Sequence, residues 1–375
     1  VAAGEIDSDS NWNSTQGVAP DADLHFSTPN LKGGYTYYPD HLAAATDHAS
    51  TAVVQNNSWG YEYQIDDLKT WISNNNTTNA YGVQAFWNGV GGYTSNEASV
   101  NNYIDALDDF QDHGVVVYAL SNDATFTDAD VQAALPQLFP ELAEAWIAAV
   151  NVNITGTIAS PSYELKSAPC GQAGAYCLGG DGWQIASAGY DGNGEYVTQT
   201  SGTSFVAPQI SGAVAILAEA FPNMTPDQWQ NRLLASANNT FFTHDNVVTY
   251  GNGVKHGYDD QYGHGIMDIH AALNPITSSS DNRSTRVFTG NSLADSSTSH
   301  KIGESRFISS NSFGDSLFRG LSGQVGYTYD DLDGGFAYDL NSHIDLSSTI
   351  APSINLSSEM SSISTSMSNS ASQDW

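Results

Sequence analysis

Basic residues are scarce in this chain. Lys and Arg number 10 against 41 Asp and Glu, a formal net charge of −31. Phosphate contacts need Lys and Arg, so nucleic acid is excluded as a partner. Cysteine is nearly absent, with Cys170 and Cys177 alone in 375 residues. A zinc site would want two further ligands near that pair, and none is evident. No run approaches the roughly 18 apolar residues of a membrane helix. No initiating Met, signal peptide or transit segment opens the chain, so targeting is not legible there. What is present is ample for a core: 40% of residues are apolar and 11% aromatic. A chain of 375 residues divides naturally into one large α/β domain and a tail. Acidity on this scale keeps a surface hydrated and soluble, and suits a saline habitat.

Residues 201–212 read SGTSFVAPQISG. A tight Gly-Thr turn precedes Ser204, and a run of helical character follows. Pro208 is expected in the first helical turn, where a missing N–H costs nothing. Ala207, Ser211 and Ala215 are small and fall on one face, which permits close packing. Ser204 then sits near the positive end of the helix dipole. An N-cap serine occupies the same place, and a nucleophile is presented in the same way.

Residues 115–123 read VVVYALSND. The β-branched run Val115–Ala119 has the character of a buried parallel strand. A helix from about Asn101 to His113 precedes it, with Ile104, Leu107 and Phe110 on one face and Gly114 as the stop. Asn122 lies beyond the carboxyl end of the strand, where open α/β sheets bind ligands. Its amide is either a donor for a developing oxyanion or part of an Asn-Asp turn.

The string around Ser204 resembles the nucleophile motif of the subtilisin-like serine proteases. The resemblance implies an α/β fold, with a parallel sheet, helices on both faces and a carboxyl-terminal extension. It implies an oxyanion role for Asn122, which separates the chain from the sedolisins, where an Asp does this. The preceding residue, often Gly in the family, is Ser121. VVQNNSWG at 53–60 resembles the strand lining the substrate cleft. By that match Ser58, Trp59 and Gly60 form one wall of the primary specificity pocket, and Ala119, Leu120 and Ser121 form the other. Trp59 also reads as a core aromatic. YGHGIMDIHAAL at 262–273 resembles the close of the protease domain. His264 and His270 follow Ser204, whereas the family order is Asp, His, Ser, so both are read as structural.

GVAPDA at 17–22 resembles a strand entry that follows the His-bearing helix, and residues 1–4 resemble that helix's end. The catalytic His is therefore expected within about ten residues before Val1, fewer than three helical turns, with the catalytic Asp further upstream. The 375 residues by themselves are expected to be inactive, because a serine without its base is a weak nucleophile. ALPQLFPEL at 134–142, followed by the Cys170 to Cys177 loop, resembles subtilases carried as passengers of bacterial autotransporters. A disulfide between the two cysteines is expected in a secreted protein. Those relatives tend to show Ala-Pro-Gly after the second cysteine, where this chain has Gly180, Asp181 and Gly182.

The aromatic-rich segment 61–98 reads either as an insertion overhanging the cleft, acting as a lid, or as a subdomain with its own satellite core. The division expected is a peptidase domain at 1–275, a linker at 276–300, a small ordered extension at 301–340 and a Ser-rich flexible tail at 341–375. The acidic groups Asp7 with Asp9, and Asp330 with Asp331 and Asp333, offer oxygen ligands for a structural calcium. Their spacing is not that of an EF-hand, and a solvated loop is the reading taken; no other cofactor is expected. The expected activity is hydrolysis of protein or peptide substrates by a secreted or surface-linked serine endopeptidase. A membrane β-barrel is expected beyond Trp375 if the chain is an autotransporter passenger. Two alternatives stand: a non-catalytic pseudoprotease or adhesin module, and an α/β-hydrolase esterase pairing Asp259 or Asp268 with His264 or His270. The esterase wants GxSxG, and Val206 stands where the last Gly belongs.

Overall fold

Strands covered on both faces need continuous apolar runs, and such runs build the centre of this molecule. The computed structural model describes residues 1–4, 16–27, 30–31, 34–35, 38–91, 95–190, 195–289, 292–302, 307–309, 316–340 and 344–346. Two compact units are present, one of residues 1–299 with 329–335 and one of 300–328 with 336–375. The first opens with the short pair β1 (Asn30–Leu31) and β2 (Gly34–Tyr35), then α1 (Pro39–Asp47) and β3 (Val54–Asn57). Three helices follow, α2 (Ile65–Asn75), α3 (Asn79–Gly91) and α4 (Glu97–Gln111), leading into β4 (Val115–Ala119). Next come β5 (Trp146–Thr157), β6 (Ser160–Leu165), β7 (Cys177–Gly180) and the hairpin β8 (Ile185–Tyr190) and β9 (Glu195–Thr200). Then follow α5 (Thr203–Ala220), α6 (Pro226–Ala235), the hairpin β10 (Asn246–Thr249) and β11 (Lys255–Tyr258), and α7 (Ile269–Leu273).

Strands β3, β4 and β5 are parallel neighbours, with Val54 opposite Val115 and Val116 opposite Trp146. β7 runs parallel to the first half of β5, and β6 folds back antiparallel on its second half. Parallel neighbours need long crossovers, and α2, α3 and α4 lie in the one from β3 to β4. Every residue of β4 is buried. Alternation along the strand sends Val116 and Tyr118 into one core cluster with residues of α2, α3 and α4. The other face meets α5, which packs on β3, β4, β5 and β7. α5 is the one described helix long and apolar enough to cross a membrane, yet here it is a core helix. The arrangement is the expected α/β sheet with helices on both faces.

Three expectations change in detail. α4 begins at Glu97 rather than near Asn101, because Asn96 caps it, its side chain accepting the Ser99 N–H at 3.0 Å. The segment 61–98 forms no satellite core. Ile65, Leu68, Ile72, Val83, Phe86 and Trp87 join the main cluster instead. Within the segment α3 lies close on α2 at Gly82, where a β-carbon would lie 2.2 Å from Ile72. Residues 1–4, likened to a helix end, are not helical: the carbonyls of Gly4, Val1 and Ala2 accept the N–H groups of Gly17, Val18 and Ala19.

The segment 276–300 carries the paired strands β12 (Arg283–Thr289) and β13 (Ser292–Lys301), and through Ser299 it belongs to the first unit. In the second unit β14 (Phe307–Ser309) pairs parallel with β17 (Ile344–Leu346), and α8 (Ser316–Leu321) lies between them in sequence. β15 (Val325–Tyr329) pairs with β16 (Gly335–Asp339). Apart from β17, the expected tail at 341–375 lies outside the described residues, as do Asp7 and Asp9.

The turn between β15 and β16 corrects the reading of Asp330, Asp331 and Asp333 as a solvated loop. Asp330 is fully buried and paired with fully buried Arg232 at 2.7 Å. Its remaining acceptor positions take the N–H groups of Ile276, Leu332 and Gly334. Asp331 accepts from Ser278 and Ser284, and Asp333 accepts from Arg286 and Gln228. Donors from the protein occupy the positions that water would take.

Candidate active site

Three chain segments meet beyond the carboxyl ends of β3 and β4, where an α/β sheet binds its ligands. Ser204 is the second residue of α5 and half-buried. Its Oγ donates to the Ser58 carbonyl at 3.3 Å, and the Ser58 Oγ donates to the Ser204 carbonyl at 3.2 Å. The second bond follows from Pro208. α5 starts at Thr203, so Pro208 lies in the second turn rather than the first. A helical N–H at 208 would bond to the carbonyl of 204, and proline has none. The carbonyl so freed takes the Ser58 hydroxyl. Asn56 extends the chain of contacts, its Nδ2 donating to Ser58 Oγ at 2.9 Å and its Oδ1 accepting from Ser211 Oγ at 3.3 Å.

Asn122 is exposed at the end of β4. Its Oδ1 accepts the Thr203 N–H at 2.9 Å and the Thr203 Oγ at 3.1 Å. Thr203 Oγ also donates to the Leu120 carbonyl at 2.6 Å. With its oxygen fixed on the helix start, Asn122 has its amide Nδ2 left as a donor. Gly202 lets the two segments close up, because a β-carbon there would lie 3.0 Å from Asn122 Oδ1. The glycines after Cys177 act similarly: a β-carbon on Gly182 would strike the Gly202 carbonyl at 2.5 Å.

The segments matched to the pocket walls lie side by side, since Asn57 is opposite Tyr118 in the sheet. Ala119 and Leu120 are buried. Ser121 is held by its own N–H to Asp130 and by its carbonyl, which accepts the Ala168 N–H. Gly60 is exposed, and the partly buried Trp59 rests edge-on against Tyr118 at 5.5 Å. Trp59 is thus both a strand-end residue and a part of the core edge.

The histidines after Ser204 serve the fold. His264 is fully buried, with Nε2 on the Ala175 carbonyl and Nδ1 facing His256 Nδ1 at 3.0 Å. Burial pushes its pKa down to about 3, helped by neighbouring His256. His270 contacts Asn274. Asp259 accepts the N–H groups of Gln261 and Tyr262, and Asp268 caps α7 on the Ala271 N–H. None of the four approaches Ser204, so the esterase arrangement does not form. Among the described residues no histidine hydrogen-bonds Ser204. Cys170 and Cys177 form the expected disulfide.

Sequence reasoning missed Thr203, which locks strand to helix, and Asp130, which sits between the wall segments. The signal for Asp130 was available: an Asp and a Gln two apart inside the otherwise apolar run Ala129–Leu135.

Comparison with known proteins gives the family of the chain. The family model described as the subtilase family, Peptidase_S8, matches residues 1–265. Serotype-specific antigen 1 of Mannheimia haemolytica is 32% identical over 44% of this chain and 16% of its own length. Fervidolysin of Fervidobacterium pennivorans is 29% identical over 72% of this chain and 33% of its own length. The extracellular serine protease of Serratia marcescens is 25% identical over 43% of this chain and 16% of its own length. The chain thus spans a third or less of these relatives. The fervidolysin crystal structure aligns with a TM-score of 0.44 at 21% identity, covering 74% of this chain and 35% of that one. With the family model spanning residues 1–265, the chain belongs to the subtilase family.

Proposed function

We propose that this chain carries the nucleophile and oxyanion hole of a secreted endopeptidase that cleaves peptide bonds through an acyl-enzyme on Ser204. The observation that carries the reading is the convergence of Ser204, Asn122 and Ser58 at adjacent strand ends, with Asn122 Nδ2 left as a donor. Asn122 Nδ2 and the Ser204 N–H, a first-turn donor without an intrahelical partner, bind the oxyanion of the tetrahedral intermediate. The base is a histidine from outside residues 1–375, oriented by an aspartate also from outside. It takes the Ser204 proton and returns it to the leaving amine. Secretion fits the disulfide and the acidic surface. Display through a downstream membrane β-barrel belongs to the same reading, as does a protein or peptide substrate.

The test uses the full-length protein and an unfolded protein substrate. Ser204→Ala is expected to lower turnover by about 10⁶. Asn122→Ala is expected to lower it by about 10²–10³, a factor taken over from subtilisin itself rather than derived. Undiminished cleavage by Ser204→Ala refutes the nucleophile. Strong fluorophosphonate labelling of Ser204 in the 375 residues alone refutes the external base.

A further inference from the structure

Between the two segments read as pocket walls lies a buried carboxylate that the chemistry above does not use. Asp130 is 1% exposed. Its Oδ1 accepts the Ser121 N–H at 2.8 Å, which fixes it to one wall. The other wall passes directly over it. A β-carbon built on the exposed Gly60 would lie 3.3 Å from Asp130 Oδ2 and 3.8 Å from Gln132 Oε1. No side chain therefore stands between the Gly60 backbone and the carboxylate.

The polar groups at this spot are incompletely matched. Asp130 Oδ2 has a long contact to the Ala133 N–H, at 3.4 Å. Gln132 accepts the Tyr61 N–H at 3.2 Å through Oε1, but its buried Nε2 has no partner. Among the described residues no Lys, Arg or His pairs with Asp130. Burial pushes its pKa up to about 7, against the pull of the backbone N–H groups. A buried carboxylate without a cation is costly to keep. The cost falls if the cation arrives with the substrate.

We propose that Asp130, with Gln132 beside it, is the specificity determinant at the floor of the primary pocket and takes a Lys or Arg side chain on the acyl side of the cleaved bond. This rests on the assignment of Ser58–Gly60 and Ala119–Ser121 as pocket walls. A carboxylate on such a floor selects a basic side chain, whereas an apolar slot selects an aromatic one. An ammonium or guanidinium supplies the charge that Asp130 lacks. The net charge of −31 steers basic segments toward the molecule.

The experiment uses the full-length protease and peptides that differ only in the residue before the cleaved bond: Lys, Arg, Leu or Phe. The kcat/KM for Lys or Arg is expected to exceed that for Leu on the order of 10²-fold, as for a buried charge pair. Asp130→Asn keeps an acceptor for the Ser121 N–H and is expected to bring that ratio close to one. A wild-type preference for Leu or Phe overturns the proposal, as does a loss in Asp130→Asn that is equal for all four peptides. If the variant does not fold, inhibition of the wild type by a peptidyl argininal and a peptidyl leucinal decides, and equal inhibition overturns it. An enzyme that cleaves Leu peptides but not Lys peptides refutes the role of Asp130 and leaves proteolysis standing. A full-length protein that cleaves no peptide and does not label at Ser204 refutes both.

Discussion

Two acidic turns in the first unit hold carboxylates at the same depth and neutralise them differently. At Asp330–Asp333 the chain brings two of its 10 basic residues, Arg232 and Arg286, against Asp330 and Asp333. At Asp128–Asp130 it brings none, and Asp130 is held by backbone N–H groups alone. In a chain so poor in Lys and Arg, the placement of cations separates the two roles. The first turn is a closed structural joint, complete as it stands. The second is open only in that no cation among the described residues pairs with Asp130, although the Gly60 backbone covers it.

The largest effect is expected where the joint is broken. Arg232 is fully buried, and besides Asp330 it serves the carbonyls of Ala272 and Asn274 at 2.9 and 2.8 Å. Removing one partner of a buried pair leaves an uncompensated charge and costs about 3–5 kcal/mol. Arg232→Met is therefore expected to lower the stability of the first unit by that amount in urea denaturation. A loss below about 1 kcal/mol, the range of exposed pairs, would make the two turns alike and remove the comparison.

Asp130→Asn is expected to act in the opposite direction, and its effect depends on pH. The carboxyl of Asp130 is raised from 3.8 to about 7 by burial. The protonated form suits the fold, so its contribution is full below about pH 4 and is lost as pH rises through 7. At about 1.4 kcal/mol per pH unit, the gain of Asp130→Asn over wild type approaches 4 kcal/mol above pH 7 and vanishes near pH 4. His264 has the opposite sign. Its pKa is lowered to about 3, so its contribution is lost as pH falls from about 6.5. The two slopes oppose in the wild type, and the variant removes the first of them. Equal stability of variant and wild type at pH 8 would mean that Asp130 is already neutralised, as Asp330 is.

The same contrast governs what the sequence discloses. Ser204, Asn122 and Ser58 lie in local strings that resemble a known family, so the sheet and the helix start were legible, and the structure brings the three segments together. Pro208 was misplaced by one turn because proline favours a first turn, and the Ser58 contact that replaces its N–H comes from 146 residues away. Asp330 was read as solvated because its partner Arg232 lies 98 residues earlier, and a charge run carries no mark of burial. Segment 61–98 has the aromatics of a core but nothing local to say which core; its neighbours there, among them Tyr118, Leu135 and Trp146, come from later in the chain.

The smallest effect concerns how far the open turn depends on its surroundings. The Cys170–Cys177 loop holds Asp128 directly: the Gln172 N–H and Nε2 donate to its two oxygens at 2.8 and 2.6 Å. Gly171, at φ +48°, permits the approach, since a β-carbon there would collide with Asp128. Replacing both cysteines by serine is expected to cost about 2–3 kcal/mol, the chain-entropy value for so short a loop. Among the described residues the loop bonds to Asp128, Asp260, Gln261 and His264, none of them a partner given above for Arg232 or Asp330, and independent sites add within about 0.5 kcal/mol. The double-cysteine variant combined with Arg232→Met is therefore expected to lose the sum of the two. A coupling above about 1 kcal/mol would make the two turns one cooperative structure, and the open turn would then owe its geometry to the closed one.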